Sequence, residues 1–160
     1  MINDRDTLTR RLGQHRRWAA SLGRDGAQLS AADLDLSGYD LSGQDLNGIE
    51  VPGGLFENTT LAGADLSGGN LASAKLAGVD LTGAQLVKTN LDYADLSRAR
   101  LAGANLRRAS LVQARLNGAV LDGADLRGAD LRDADFSGAS LTGAVLDDPE
   151  LNRKVAAFAP

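Results

Sequence analysis

The chain has 160 residues, with 17 Lys and Arg against 21 Asp and Glu, a net charge of −4, and no cysteine. That length suits one domain with one continuous core. The acid excess argues against a phosphate-backbone partner, and the lack of cysteine excludes disulfides, a thiolate nucleophile and a Cys-based zinc site. The start, Met1-Ile2-Asn3-Asp4-Arg5-Asp6, is polar, and no apolar run long enough for a signal peptide or a membrane span follows it, so the expected location is cytoplasmic.

Residues 4–22 carry helical spacing. Leu8, Leu12, His15, Ala19 and Leu22 form one stripe with Trp18 beside it, which predicts an amphipathic helix. Asn3 is the expected N-cap, and Gly23 the expected stop before the turn Arg24-Asp25-Gly26. His15, the one histidine, is expected as a packed, hydrogen-bonded residue of a lid. Arg10, Arg11, Arg16 and Arg17 are expected as a solvated helix face.

From residue 34 the pattern changes to a period of five. Leucine recurs every fifth residue from Leu36 to Leu146, with Val51, Phe56 and Phe136 filling the gaps in register, giving 23 consecutive units that read Ala-Asp-Leu-Ser-Gly. On an α-helix a step of five turns the side chain by about 140°, so these leucines would spiral around a rod. On a flat strand an odd step sends successive leucines to opposite faces. A chain that turns a corner of roughly 90° every five residues keeps Leu and Ala inside, and four corners close a coil of 20 residues. Glycine takes the fifth place of the unit in 14 of 23 cases, as a turn with φ > 0 demands. One buried leucine contributes about 1.5–3 kcal/mol, whereas fixing each residue's backbone costs about 1–2 kcal/mol, so coils must stack cooperatively.

The least regular stretch, Ile49-Glu50-Val51-Pro52-Gly53-Gly54-Leu55-Phe56, predicts a bulge or a widened corner. At the far end Asp148-Pro149-Glu150 predicts a helix start, with Leu151, Val155 and Phe158 on one side. Residues 1–30 are thus expected as a helical cap and turn, 31–148 as the coil and 149–160 as a short C-terminal capping helix. Two plugs would cover sheet edges that otherwise invite end-to-end association, which favours a monomer. The alternative role for the C-terminal helix is a dimer contact.

On these units residues 34–148 resemble a pentapeptide-repeat protein of the leucine-centred type, and His15-Arg16-Arg17-Trp18 with Ser21, Gly23 and Gly26 looks like the leader found ahead of bacterial arrays of this kind. The resemblance implies an all-β solenoid, a right-handed quadrilateral parallel β-helix; the handedness comes from the resemblance alone. Some similar proteins are DNA-mimicking regulators of DNA gyrase or another type II topoisomerase. Residues 34–148 hold 16 acids against 9 bases, which suits mimicry, but those relatives are phenylalanine-centred and dimerise through a C-terminal module.

Catalytic chemistry finds no support. Asp40, Asp65, Asp80, Asp95, Asp125, Asp130 and Asp135 each precede a central Leu or Phe and belong to the repeat; a convex rod offers no cleft to desolvate one of them. Calcium solenoids need a nine-residue period. No cofactor, metal, nucleic acid or membrane is expected. Residues that leave the consensus mark the candidate surface: folding 20 residues per coil stacks Lys88 on Arg108 and Arg107 on Arg127, with Tyr93 and Gln113 in the adjoining column. The band Lys88, Tyr93, Arg107, Arg108, Gln113 and Arg127 is the expected contact with another protein, and a non-enzymatic scaffold or adaptor is the expected function.

Overall fold

The computed structural model describes residues 5–147; Asn3 and the C-terminal helix expected over 149–160, with its dimer contact, lie outside them. Helix α1 spans Arg5–Ala20. Its stripe buries Leu8, Leu12 and His15, but Leu22 is 87% exposed. The helix closes earlier than the spacing predicts. The Leu22 N–H donates to the Ala19 carbonyl and the Gly23 N–H to the Trp18 carbonyl, so Leu22, at φ 55°, is the left-handed residue of a Schellman closure.

Beyond α1 the chain coils. All 20 bridges among the described residues are parallel and join residues 20 apart, from Ser30↔Glu50 to Asp125↔Val145. Extended strands do not form: each side of the coil is so short that it contributes one bridge before the next turn. Every fifth residue from Asp33 to Gly143 has φ between 53° and 72°. The first-place N–H bonds back to the third-place carbonyl, as Ala64 does to Leu61 at 3.0 Å. With φ positive at the second central residue alone, this is a type II turn at each corner.

The other backbone donors have fixed destinations. The third-place N–H of Leu61 reaches the Asp80 carbonyl in the next coil, and the fifth-place N–H of Gly63 reaches that of Thr82. The second-place N–H of Asp65 reaches the Gln44 carbonyl in the preceding coil. The fourth-place N–H has no ladder partner. Second-place Asp or Asn accepts it through Oδ1 instead, as at Asp35, Asp40, Asp65, Asp80, Asp95, Asp125, Asp130 and Asp135, with distances of 2.9–3.3 Å. The acidic residues of the repeat therefore serve the corners.

The same rule removes the expected bulge. Pro52 occupies a fourth place, where the ladder uses no N–H, and the first central place of a type II turn, which suits its fixed φ. Register continues through it: the Gly53 N–H bonds to Ala72 and the Leu55 N–H to Leu34. Gly54 is small because a Cβ there would stand 2.9 Å from the Val51 carbonyl oxygen and 3.0 Å from the Phe56 ring.

The inward leucines and alanines form one core with Leu8 and Leu12 of α1. The helix closes the first coil through specific contacts. His15 Nδ1 accepts the Leu29 N–H at 2.9 Å, and its ring stacks on Trp18 with centroids 5.5 Å apart. Trp18 covers the corner at Gly48, where a Cβ would lie 3.1 Å from the indole. Arg16 donates to Gln44 Oε1 at 3.0 Å, Arg11 to the Ser30 carbonyl at 3.3 Å, and Arg17 pairs loosely with Asp25 at 4.0 Å, so this helix face is partly anchored to the coil and its linker.

Burial holds the His15 pKa below its ordinary value against the opposing pull of the Leu46 and Asn47 carbonyls and Asp45. The folded state keeps the ring neutral at a pH where the unfolded chain, with a histidine pKa of about 6.5, already binds a proton. Stability is therefore full above pH 6.5 and falls as the pH drops toward the folded pKa. Thermal melts followed by circular dichroism should give a lower midpoint at pH 5 than at pH 7.5. The difference should shrink in His15→Gln. A second loss follows below about pH 3.8, because hydrogen bonds from Ser37, Ser42 and Ser137 hold Asp35, Asp40 and Asp135 below the usual carboxylate range, and Arg127 holds Asp125 at about 2.

Candidate functional site

Every corner requires a left-handed residue at its fifth place, a conformation glycine adopts without strain and other L-residues adopt at a cost of about 1–2 kcal/mol. Nine of these corners lack glycine: Asp33, Asn58, Ser73, Lys88, Tyr93, Arg98, Arg108, Gln113 and Asp133. Asp and Asn tolerate the left-handed region through local hydrogen bonding. The five residues with long or aromatic side chains, Lys88, Tyr93, Arg98, Arg108 and Gln113, occupy consecutive corners between residues 88 and 113, interrupted by Gly103 alone.

The 20-residue register places them. Lys88 and Arg108 stack at one corner, Tyr93 and Gln113 at the next, and Arg98 stands at the corner after that. The fourth corner is glycine in every coil, at Gly43, Gly63, Gly83, Gly103, Gly123 and Gly143, and a Cβ on any of these would meet nothing within 4 Å. The edge at Tyr93, with the two edges beside it, is thus dressed with side chains, and the edge diagonally opposite Tyr93 is bare.

The expected band is only partly brought together as a free surface. Lys88, Tyr93, Arg108 and Gln113 are exposed, Tyr93 at 56%. Arg107 lies beside them but acts on Asp125. Arg127 is committed elsewhere: its Nε and Nη2 donate to the two oxygens of Asp125 at 2.9 and 2.5 Å, so it joins the coil's own ion pairs. Arg98, outside the expected band, is exposed and left-handed at the corner beyond Tyr93, with φ 57°.

Cation pairing separates these residues further. Within the coil Arg100 pairs with Asp80, Arg115 with Asp95, Arg127 with Asp125 and Arg132 with Asp130, while Lys75 acts on Asp95. Lys88, Arg98 and Arg108 have no carboxylate partner among the described residues. The stem of Arg98 leans over Gly118 and that of Arg108 over Gly128, with Cγ 3.4 and 3.2 Å from the place a Cβ would take. Both arginines extend along the rod toward its C-terminal end. Among the described residues no group of three or more His, Cys, Asp and Glu gathers as a metal site would, and no helix is long and apolar enough to cross a membrane.

The family model for pentapeptide repeats matches the chain in 8 copies, over residues 55–92, 94–133 and 109–148. Similar solved structures include the pentapeptide-repeat protein Rfr23 from the cyanobacterium Cyanothece 51142, at 26% identity over 84% of this chain and 95% of that one, with a TM-score of 0.49. The pentapeptide-repeat protein alr5209 from Nostoc Pcc 7120 is 30% identical over 52% of this chain and 84% of that one, with a TM-score of 0.33. QnrB1, a plasmid-mediated fluoroquinolone resistance protein, is 17% identical over 84% of this chain and 100% of that one, with a TM-score of 0.38. No curated protein sequence matches the chain. The repeat register, the matched copies and the corner geometry agree that this chain belongs to the pentapeptide-repeat family.

Proposed function

We propose that the chain is a non-enzymatic scaffold, a right-handed β-helix that binds another protein through the dressed edge at Tyr93 and Gln113 and the corners beside it at Lys88, Arg108 and Arg98, with Arg107 at its rim. One observation carries this reading. Five bulky residues stand where glycine would relieve strain, and strain of this kind persists where the side chain has a use. The residue types agree, since arginine and tyrosine are enriched at binding hot spots, and a rigid coil loses little entropy on association. Capture from an extract of the source cell should retain a partner on the wild type and lose it on Tyr93→Ala/Arg108→Glu. Equal capture by both proteins removes the reading.

Mimicry of a DNA duplex is the competing function, and the charge columns weigh against it. The column of Asp40 and Asp80 is broken by Thr60 and Arg100, and that of Asp45, Asp65 and Asp125 by Gln85 and Asn105. Asp125 is further neutralised by Arg127. A gyrase supercoiling assay at micromolar protein should show neither inhibition nor protection; either effect would favour mimicry.

A further inference from the structure

We infer that the partner of this edge presents an acidic peptide segment that crosses the rod at Tyr93, with carboxylates received by Lys88 and Arg108 on one side and by Arg98 on the other. This rests on reading the edge as a protein-binding surface and names the chemistry that surface takes. Two independent properties select the same three cations. Among the described residues they pair with no carboxylate, whereas Arg100, Arg115, Arg127 and Arg132 form ion pairs and Lys75 and Arg107 act through space on Asp95 and Asp125, and all three stand at strained corners. A cation kept both strained and unpaired is complementary to an acid from outside.

The geometry limits that acid's shape. In the corner column of Tyr93 and Gln113, the next residue toward the C-terminal end is Asp133, while Ser73 and Gly53 lie the other way before Asp33. Asp92 and Asp130 flank the same edge, engaged with Ser110 and Arg132. The cationic zone is therefore about one to two coils high, on the order of 5–10 Å at the usual spacing between paired backbones. A long phosphate backbone running along the rod would leave this zone and meet carboxylates. A segment crossing the edge places acids on both flanks and an apolar or aromatic residue on the exposed Tyr93 ring.

The test pans a random peptide display library against the full-length protein, then measures the selected peptides by fluorescence anisotropy beside a 20-nucleotide oligothymidine. Selected peptides should carry acids on both sides of an apolar or aromatic residue. Arg98→Gly, and separately Lys88→Gly/Arg108→Gly, should weaken them about tenfold, and 0.5 M salt should do the same. Glycine at these corners relieves strain, so a thermal midpoint at or above that of the wild type certifies each variant as folded. Peptides that enrich without acidic bias but require Tyr93 overturn the acidic segment and leave the protein-binding edge standing. Binding indifferent to Arg98→Gly, or an oligothymidine that binds more tightly than the peptides, also overturns it. If no peptide enriches, both readings fall.

Discussion

Replacing Lys88, Tyr93, Arg98, Arg108 and Gln113 together with glycine should raise the midpoint of thermal unfolding by about 10 °C and, on the proposed function, should abolish partner capture. Each residue sits at φ between 56° and 59° and is exposed. The left-handed conformation costs a residue with a Cβ about 1–2 kcal/mol, and glycine returns about 0.5–1 kcal/mol of that through its extra freedom in the unfolded chain. The net gain is about 0.5–1 kcal/mol per site and about 3–5 kcal/mol for five, if contacts between the stacked Lys88 and Arg108 remain minor. At this chain length each kcal/mol moves the midpoint by about 2–4 °C. Gain of stability with loss of binding is the pattern expected where function holds a protein below its stability optimum. A melt showing no gain would mean that these side chains make compensating contacts within the coil.

Gly26→Ala should cost on the order of 3 kcal/mol, whereas Gly43→Ala should cost about 1 kcal/mol, although both residues are left-handed. The difference lies in what a Cβ meets. At Gly43 it meets nothing within 4 Å. At Gly26 it would stand 2.2 Å from the Gln14 carbonyl oxygen and 2.8 Å from the Trp18 nitrogen, both backbone atoms inside α1. These atoms cannot yield without breaking the helix, so the linker must lift away. That motion pulls at Leu29, whose N–H is held by His15, and uncovers the first coil. Urea titrations of the two variants measure the difference, and loss of α1 docking should also bring end-to-end association visible by light scattering.

Much of this was legible in the sequence, because a five-residue period fixes which side chains face inward and a 20-residue coil fixes which residues stack. Leu36 through Leu146, the alanines two places before them, and the stacking of Lys88 on Arg108 follow from arithmetic alone. What escaped was local. Leu22 fits the helical stripe by spacing, yet closure depends on backbone bonds one turn earlier, so the chain turns away before reaching it. Pro52 signals a broken ladder wherever each N–H is needed; here the fourth place needs none, a fact visible only once the five donors are traced. Arg127 carries the composition of a binding residue, and its engagement by Asp125 two positions earlier depends on the curl of one corner. The role of second-place aspartate as corner acceptor was hidden in the same way: the repeat declares its abundance but not its hydrogen bond.

Stacking at 20 residues assigns every residue above to its edge, and the absence of cysteine allows a direct check with introduced pairs. Tyr93→Cys/Gln113→Cys should close a disulfide under mild oxidation, read by mass spectrometry as the loss of two hydrogens and protection from maleimide, since backbones about 4.8 Å apart fall within disulfide reach. Tyr93→Cys/Arg108→Cys, 15 residues apart and across a face, should stay reduced. Closure of the second pair with failure of the first would contradict the coil and every edge assigned from it.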